Sequence, residues 1–188
     1  GSKNSSNIAV DCIIREIQMG LPWCKTIREL AICLKNAVVN AQNELITLSK
    51  TTRIGTTTVC IAVTFLTKDF EIKTLALRIG DCSIFYYDSI HDTIIPMNKK
   101  WDRQIIKARL CGGRIGVTET TLPVLDNLTL KLFDHNENDY IVMMSDGFTD
   151  NISSENEKLN SRDVLNNVIG KRRSEERRVG KECRSRWS

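Results

Sequence analysis

The chain has 188 residues, of which 41% are hydrophobic and 27% charged, a composition typical of a single globular domain. No stretch approaches the ~18 uninterrupted apolar residues of a membrane span, and no signal peptide is recognisable, so we expect a cytoplasmic protein that does not bind membranes. The seven cysteines include no Cys-x-x-Cys pair and are accompanied by only two histidines, which argues against a zinc site.

The C-terminal run Arg173–Ser188 differs in character from the rest of the chain. It reads as a translated sequencing-library adapter and is left out of the fold prediction. Read literally, a basic tail of this kind would bind nucleic acid through its Lys and Arg side chains. The tail holds six basic and three acidic residues, so 21 basic and 20 acidic residues remain elsewhere. This near-neutral balance predicts no binding to nucleic acid.

Helices are predicted where apolar residues recur at three- and four-residue steps. The first covers Ile8–Ile17 and ends at the Gly-Leu-Pro sequence at 20–22. The second covers Lys25–Leu48, and both helices have the pattern of helices that pack on a sheet. Two shorter helices are predicted over Arg103–Leu110 and, behind a serine N-cap, over Ser161–Ile169.

Strands are predicted from alternating or continuously apolar runs. They cover Thr56–Phe65, Thr74–Ile79, Ser83–Tyr87, Thr93–Pro96, Leu128–Asp134 and Ile141–Met144. His135, after the fifth strand, is expected to be a solvated turn residue. The glycine-rich run Cys111–Gly116 lacks the lysine and hydroxyl of a Walker motif, so we predict no nucleotide site there.

The last of these strands runs directly into a pair of acids around a glycine, Ser145-Asp146-Gly147-Phe148-Thr149-Asp150. Asp146 and Asp150 offer oxygen donors only, the ligands that Mg²⁺, Mn²⁺ and Ca²⁺ prefer. Gly147 lets its own backbone come close to a bound cation. Spacing alone is equally compatible with an ordinary Asp-Gly turn after a core strand.

A second acidic turn, Gly80-Asp81, ends the strand Thr74–Ile79. This second turn favours the interpretation as a metal site, because two strands then end at acidic residues. Upstream, Thr56-Thr57-Thr58 could place a hydroxyl near such a site. Threonines are common on strands, however, and the structural interpretation is favoured for them.

Three signatures in this order, Gly-Thr-Thr-Thr at 55–58, Gly80-Asp81 and Ser145-Asp146-Gly147, resemble the metal-dependent serine/threonine protein phosphatases of type 2C. The resemblance covers residues 2–170. It implies an α+β fold in which an antiparallel β-sandwich is flanked by helices. Residues 1–172 would then be a partial catalytic domain and 173–188 a non-native tail.

The resemblance also implies an activity and residue roles. A monomer would hydrolyse phosphoserine and phosphothreonine in phosphoprotein substrates with a water activated by Mg²⁺ or Mn²⁺. Asp146 matches a direct, catalytic ligand of the central metals. Gly147 would allow the backbone to come close to these metals. Asp81 and Asp150 match acids that hold a further, looser metal. No cysteine has an arginine six positions later, so the covalent thiol route to phosphate hydrolysis has no visible nucleophile.

The family pattern is incomplete in this chain. Members carry an Asp-Gly-x-Gly-Gly motif upstream of their first long helix and a late Asp-Asn motif, and we expect both to lie beyond the ends of this sequence. A fragment truncated at both ends is expected to be inactive by itself. Two alternatives remain: a pseudophosphatase or protein-binding module with the same fold, and an unrelated domain whose Asp81 and Asp146 carboxylates lie more than about 12 Å apart.

Overall fold

The structure, a computed structural model, describes residues 2–97, 113–117, 122–125, 128–136 and 138–145. Within these residues there are two α-helices, α1 (Ser2–Gly20) and α2 (Ile27–Ser49), separated by a 3-10 turn at Leu21–Trp23. The strands are β1 (Thr56–Thr57), β2 (Val59–Leu66), β3 (Ile72–Ile79), β4 (Ser83–Asp88), β5 (Thr93–Pro96), β6 (Ile115–Gly116), β7 (Thr129–Asp134) and β8 (Tyr140–Met144). The helices predicted over 103–110 and 161–169 lie outside the described residues.

Helix α2 begins where its sequence supplies a capping box. Thr26 Oγ1 accepts a hydrogen bond from Glu29 N at 3.2 Å, and Glu29 Oε2 accepts one from Thr26 N at 2.9 Å. This fixes the start of the helix after Thr26, whereas the apolar pattern placed it at Lys25. The predicted apolar face is buried, with Leu30, Leu34, Ala37, Val38, Ala41 and Leu45 in the core. No helix in the described part of the chain has the length and apolar character needed to cross a bilayer.

The described strands form two three-stranded antiparallel sheets, ordered β2-β3-β7 and β5-β4-β8, and the short pair β1-β6. One face of the first sheet packs on the helices, so that Ile79 and Leu34 share a core cluster. Its other face packs on the second sheet, where Ala76 and Phe133 share a cluster with Tyr86. The layers are therefore helices, sheet and sheet, which confirms the predicted α+β fold with antiparallel sheets and helices.

The strand predicted as one element over Thr56–Phe65 is two strands, and that prediction is wrong at Thr58. Thr57 pairs with Ile115 of β6, whereas Val59 pairs with Ile79 of β3. The chain therefore changes partner at Thr58. A change of partner leaves no trace in a pattern of apolar residues, because both halves are half-buried strands.

The prediction of a solvated His135 is also wrong. The ring is half-buried, and its Nδ1 lies 3.0 Å from the hydroxyl of Thr74, a fully buried residue of β3. The turn that follows is held by Asp139, whose carboxylate accepts hydrogen bonds from Asn136 N at 2.6 Å and Ser89 N at 2.7 Å. The Tyr86 hydroxyl also donates to it. Burial disfavours the charge, but these hydrogen bonds outweigh burial and lower the pKa of Asp139 to about 2.

Candidate metal site

Strand β3 ends at a turn that requires glycine. Gly80 has a φ of +99°, in the left-handed region. A Cβ at this position would lie 2.6 Å from Gly113 O and would overlap the Thr58 side chain. Since one of these neighbours is backbone, it cannot rotate aside to make room. The turn therefore brings β3, the break at Thr58 and the segment at Gly113 into direct contact.

Asp81 follows Gly80 and is exposed, although both of its neighbours are buried. Arg78, only 4% exposed, donates from Nη1 to Cys82 O at 3.1 Å. Cys82 Sγ lies 3.4 Å from Val59 O, an acceptor on the neighbouring strand. These contacts anchor the turn on both sides of Asp81. The sequence-predicted ligand thus stands at the surface on a backbone held from beneath.

The end of β8 reaches this same turn. Ser83, two residues after Asp81, pairs with Met144 in the antiparallel ladder between β4 and β8. Ser145 follows Met144, is exposed, and is the last residue that the structure describes in this segment. The other predicted ligands, Asp146, Gly147 and Asp150, lie outside the described residues. The turn at Asp81 and the end of β8 at Met144 are therefore next to each other.

The segment beside the turn is anchored by a glutamine that the sequence pattern did not identify. Gln42, on the buried face of α2, donates from Nε2 to Gly116 O at 3.0 Å. Its Oε1 accepts a hydrogen bond from Gly116 N at 2.6 Å. The available signal was a polar residue within an apolar helical stripe. Such a residue indicates a buried hydrogen-bond partner but does not say where that partner lies in the chain.

Two cysteines near the turn, Cys60 and Cys82, have shifted pKa values. The hydrogen bond between the two raises the pKa of Cys60 far above its usual range and lowers the pKa of Cys82. Both cysteines are free thiols. This pair was missed because the two residues lie on different elements, and spacing along the chain does not predict their contact.

Within the described residues, no group of three or more His, Cys, Asp or Glu side chains is placed to hold a metal ion. Asp81 is the one predicted ligand that these residues include. Its exposed carboxylate is a hard oxygen donor, which fits Mg²⁺ or Mn²⁺, but a single carboxylate does not make a site. A complete site would require ligands from beyond Ser145.

Comparison with known proteins gives a likeness of fold. No protein-family model matches the chain, and no curated protein matches it. Among solved structures, the chain is similar to PppA, a key regulatory component of T6SS in Pseudomonas aeruginosa, with a TM-score of 0.57 and 13% sequence identity. The match covers 87% of this chain and 64% of the length of that chain. At this identity the likeness shows the fold alone, which is similar to that of the type 2C phosphatases.

Proposed function

We propose that the chain is part of a metal-dependent phosphatase that removes phosphate from serine and threonine in proteins. The observation that carries the proposal is the pairing of Ser83 with Met144, because it brings the ends of two acid-bearing strands together. The substrates would be phosphoproteins. We also predict that the protein is monomeric and cytoplasmic.

The β4–β8 ladder supports a shared position for the acids. Its last pair, Ser83 with Met144, lies two residues from Asp81 and two residues from Asp146 along the chain. In this proposal Asp146 is the direct ligand of the central metals. Asp81 and Asp150 hold a further cation, and Gly147 lets the backbone come close to the central metals.

Mg²⁺ or Mn²⁺ bound at these oxygens would lower the pKa of a bound water and offset charge on the phosphoryl group. The contribution of the chain is to hold the ligands. The turn at Gly80 and the buried Arg78 keep Asp81 in place before any cation arrives. A pre-positioned carboxylate loses less conformational entropy on binding than one on a loose loop.

Binding of Mn²⁺ to the full chain, measured by titration calorimetry, tests this proposal. Asp146→Ala and Asp81→Ala should each weaken Mn²⁺ binding at least ~10-fold, since even outer-shell partners of metal sites have effects of this size. Asp69→Ala is the matched control, because Asp69 is an exposed acid on the β2–β3 hairpin at the other end of the sheet. Equal Mn²⁺ affinity in all three variants and the parent chain would remove both acids from the site.

A Mn²⁺-dependent hydrolysis assay on a phosphoserine peptide then addresses activity. We expect weak or no turnover from this chain alone, because the resemblance implies further ligands elsewhere. Turnover that persists at the parent rate in Asp146→Ala would contradict the role given to Asp146.

The second candidate is a protein-binding module that keeps the fold without catalysis. A specific observation favours it: Trp23 and Phe70 are 79% and 83% exposed. Their sequence neighbours Cys24 and Asp69 line the same groove. Exposed aromatic residues are typical anchors of protein interfaces. The solved neighbour PppA is itself described as a regulatory component. A folded chain that binds no Mn²⁺ would favour this candidate over the phosphatase.

A further inference from the structure

The first sheet has an open edge at β2. In the strand order β2-β3-β7, β2 is an outer strand, and among the described residues no strand pairs with its other side. Natural proteins commonly protect such an edge with a charged side chain or a proline in the edge strand. The eight residues of β2 include neither. The sequence of β2 is therefore that of a strand with a partner on both sides.

The register of the β2–β3 ladder shows which backbone groups face outward. Thr67 N donates to Glu71 O at 2.8 Å beside the hairpin turn. In an antiparallel ladder, hydrogen-bonded pairs alternate with pairs that are not hydrogen-bonded. Ile61 is therefore hydrogen-bonded to β3, whereas Cys60 and Ala62 direct their backbone N–H and C=O groups to the outer edge.

A groove follows this outer edge. It has a volume of about 370 Å³ and is lined by seven consecutive residues of the chain, 57–63. Successive side chains of a strand lie on opposite faces of the sheet. Ile61 packs in the helix-side cluster, whereas Ala62 packs in the cluster between the sheets. A groove that touches residues of both kinds runs along the edge of the strand and not along one face.

The other walls of the groove are apolar and partly exposed. Helix α1 supplies Val10 and Ile14, which are 51% and 49% exposed, and β8 supplies Met143, which is 48% exposed. None of the described residues that line the groove is charged. A strip of exposed apolar side chains indicates a binding surface, and the lack of charge indicates an uncharged ligand.

We propose that this groove binds an extended peptide segment of another protein, which pairs with β2 as an added strand. Backbone groups of the segment would hydrogen-bond with those of Cys60 and Ala62, and its alternate side chains would pack on Val10 and Ile14. Because the lining is uncharged, those side chains are apolar. The volume lies near the lower end of the ~300–1,000 Å³ of ligand clefts, which suits one strand and not a second folded copy of this chain. Binding of this kind does not require the metal site.

Fluorescence anisotropy on the full chain tests the proposal with a labelled peptide of alternating valine and threonine that has a lysine at each end. We expect saturable binding. In a control peptide, prolines replace the two central residues. Since proline has no N–H, we expect this peptide to bind at least ~10-fold more weakly. Equal binding of the two peptides, or no binding of the first, would overturn the proposal.

A matched pair of variants tests the wall of the groove. Ile14→Glu places a charge against the bound segment and should weaken peptide binding at least ~10-fold. Ile32→Glu is the control, because Ile32 is 48% exposed on α2 and does not line the groove. Circular dichroism checks that both variants fold. Equal peptide affinity in Ile14→Glu and the parent chain would count against the groove as the binding site.

Amide hydrogen exchange, measured by NMR on the parent chain, needs no variant. The peptide should slow exchange of the Cys60 and Ala62 N–H groups and leave that of Ile61, which is bonded to β3, unchanged. Protection confined to other residues would overturn the pairing with β2. If sedimentation shows a dimer without peptide, and the Cys60 and Ala62 N–H groups are already protected in it, the edge belongs to a second copy and the proposal is likewise overturned.

Discussion

At one end of β3 the backbone turns through Gly80, and at the other end the β2–β3 hairpin turns through Phe70. Both residues have positive φ, +99° and +62° respectively. Gly80 is buried against Thr58 and Gly113 O, whereas the Phe70 residue is 83% exposed. The left-handed backbone conformation is therefore adopted by glycine where the surroundings are crowded and by a large aromatic residue where they are open.

The difference shows that packing, more than the dihedral angle, decides where glycine is required. A non-glycine residue in the left-handed region costs about 1–2 kcal/mol, which a fold can tolerate. At Gly80 the same cost would be joined by overlap with backbone that cannot yield. The Gly80-Asp81 end of β3 is thus more tightly packed than the Phe70 end. Tight packing is what the proposed metal site, with its pre-positioned ligands, requires.

The largest effect is expected from Gly80→Ala, which tests the crowding directly. The added Cβ meets Gly113 O at 2.6 Å, and we expect a loss of about 3 kcal/mol or more in the free energy of unfolding. Urea unfolding followed by circular dichroism measures it. A loss below ~1 kcal/mol would mean that the Gly113 segment moves away at little cost, and the contrast between the two ends would disappear.

Asp139→Asn should show that the hairpin end also has a firm anchor. This end includes the turn after β7, since His135 N donates to Ile72 O at 2.9 Å. Loss of a buried charge that accepts several hydrogen bonds should lower the free energy of unfolding by about 2–3 kcal/mol at pH 7. Urea unfolding measures this loss, and Asp69→Asn, at an exposed acid of the same end, serves as the control with little change.

The stability difference between the parent chain and Asp139→Asn is expected to depend on pH. The pKa of Asp139 is lowered to about 2 in the folded chain, so its contribution to stability is present above the unfolded pKa of about 3.9 and is lost as pH falls toward 2. The stability difference between the parent chain and Asp139→Asn should therefore narrow between pH 5 and pH 2. Parallel stability curves over this range would show that Asp139 is not the group that titrates.

Gln42→Ala tests whether the hydrogen bonds of Gln42 stabilise the segment beside the Gly-Asp turn. It removes two hydrogen bonds, at 3.0 and 2.6 Å, from the buried backbone of Gly116. We expect a loss of about 2 kcal/mol in urea unfolding, because the Gly116 groups lose their partner without gaining water. Gln18→Ala, at an exposed glutamine of α1, should change stability by less than ~0.5 kcal/mol. Equal effects in the two variants would refute the anchoring role.

The smallest effect is expected from Phe70→Gly. Glycine relieves the left-handed strain but increases the entropy of the unfolded chain, so a net gain of only ~0.5 kcal/mol in the free energy of unfolding is expected. The measurement is again urea unfolding, compared directly with Gly80→Ala. A clear loss of stability would indicate that the exposed ring packs on neighbouring residues, and the two ends would then be more alike than their exposure suggests.

Local patterns in the amino-acid sequence were enough to predict the helices and strands and to single out the acids of the candidate site. Apolar spacing identified α2 and its buried face, and the turn residues marked the ends of β3 and β8. The turn at Gly80-Asp81 was predicted from these two residues alone, and it lies where predicted; its role in metal binding stays a prediction. These features depend on neighbours in the chain, so a local pattern is sufficient to predict them.

Contacts between residues distant in the chain could not be predicted in this way and became known from the folded structure. Three features join elements that are far apart in sequence: the partner change at Thr58, the half-burial of His135 and the Gln42 bonds to Gly116. Such contacts follow from the order in which strands pair and layers stack, and apolar periodicity is the same for many orders. The position of Asp81 beside the end of β8 belongs to this second group, since it depends on the register between Ser83 and Met144.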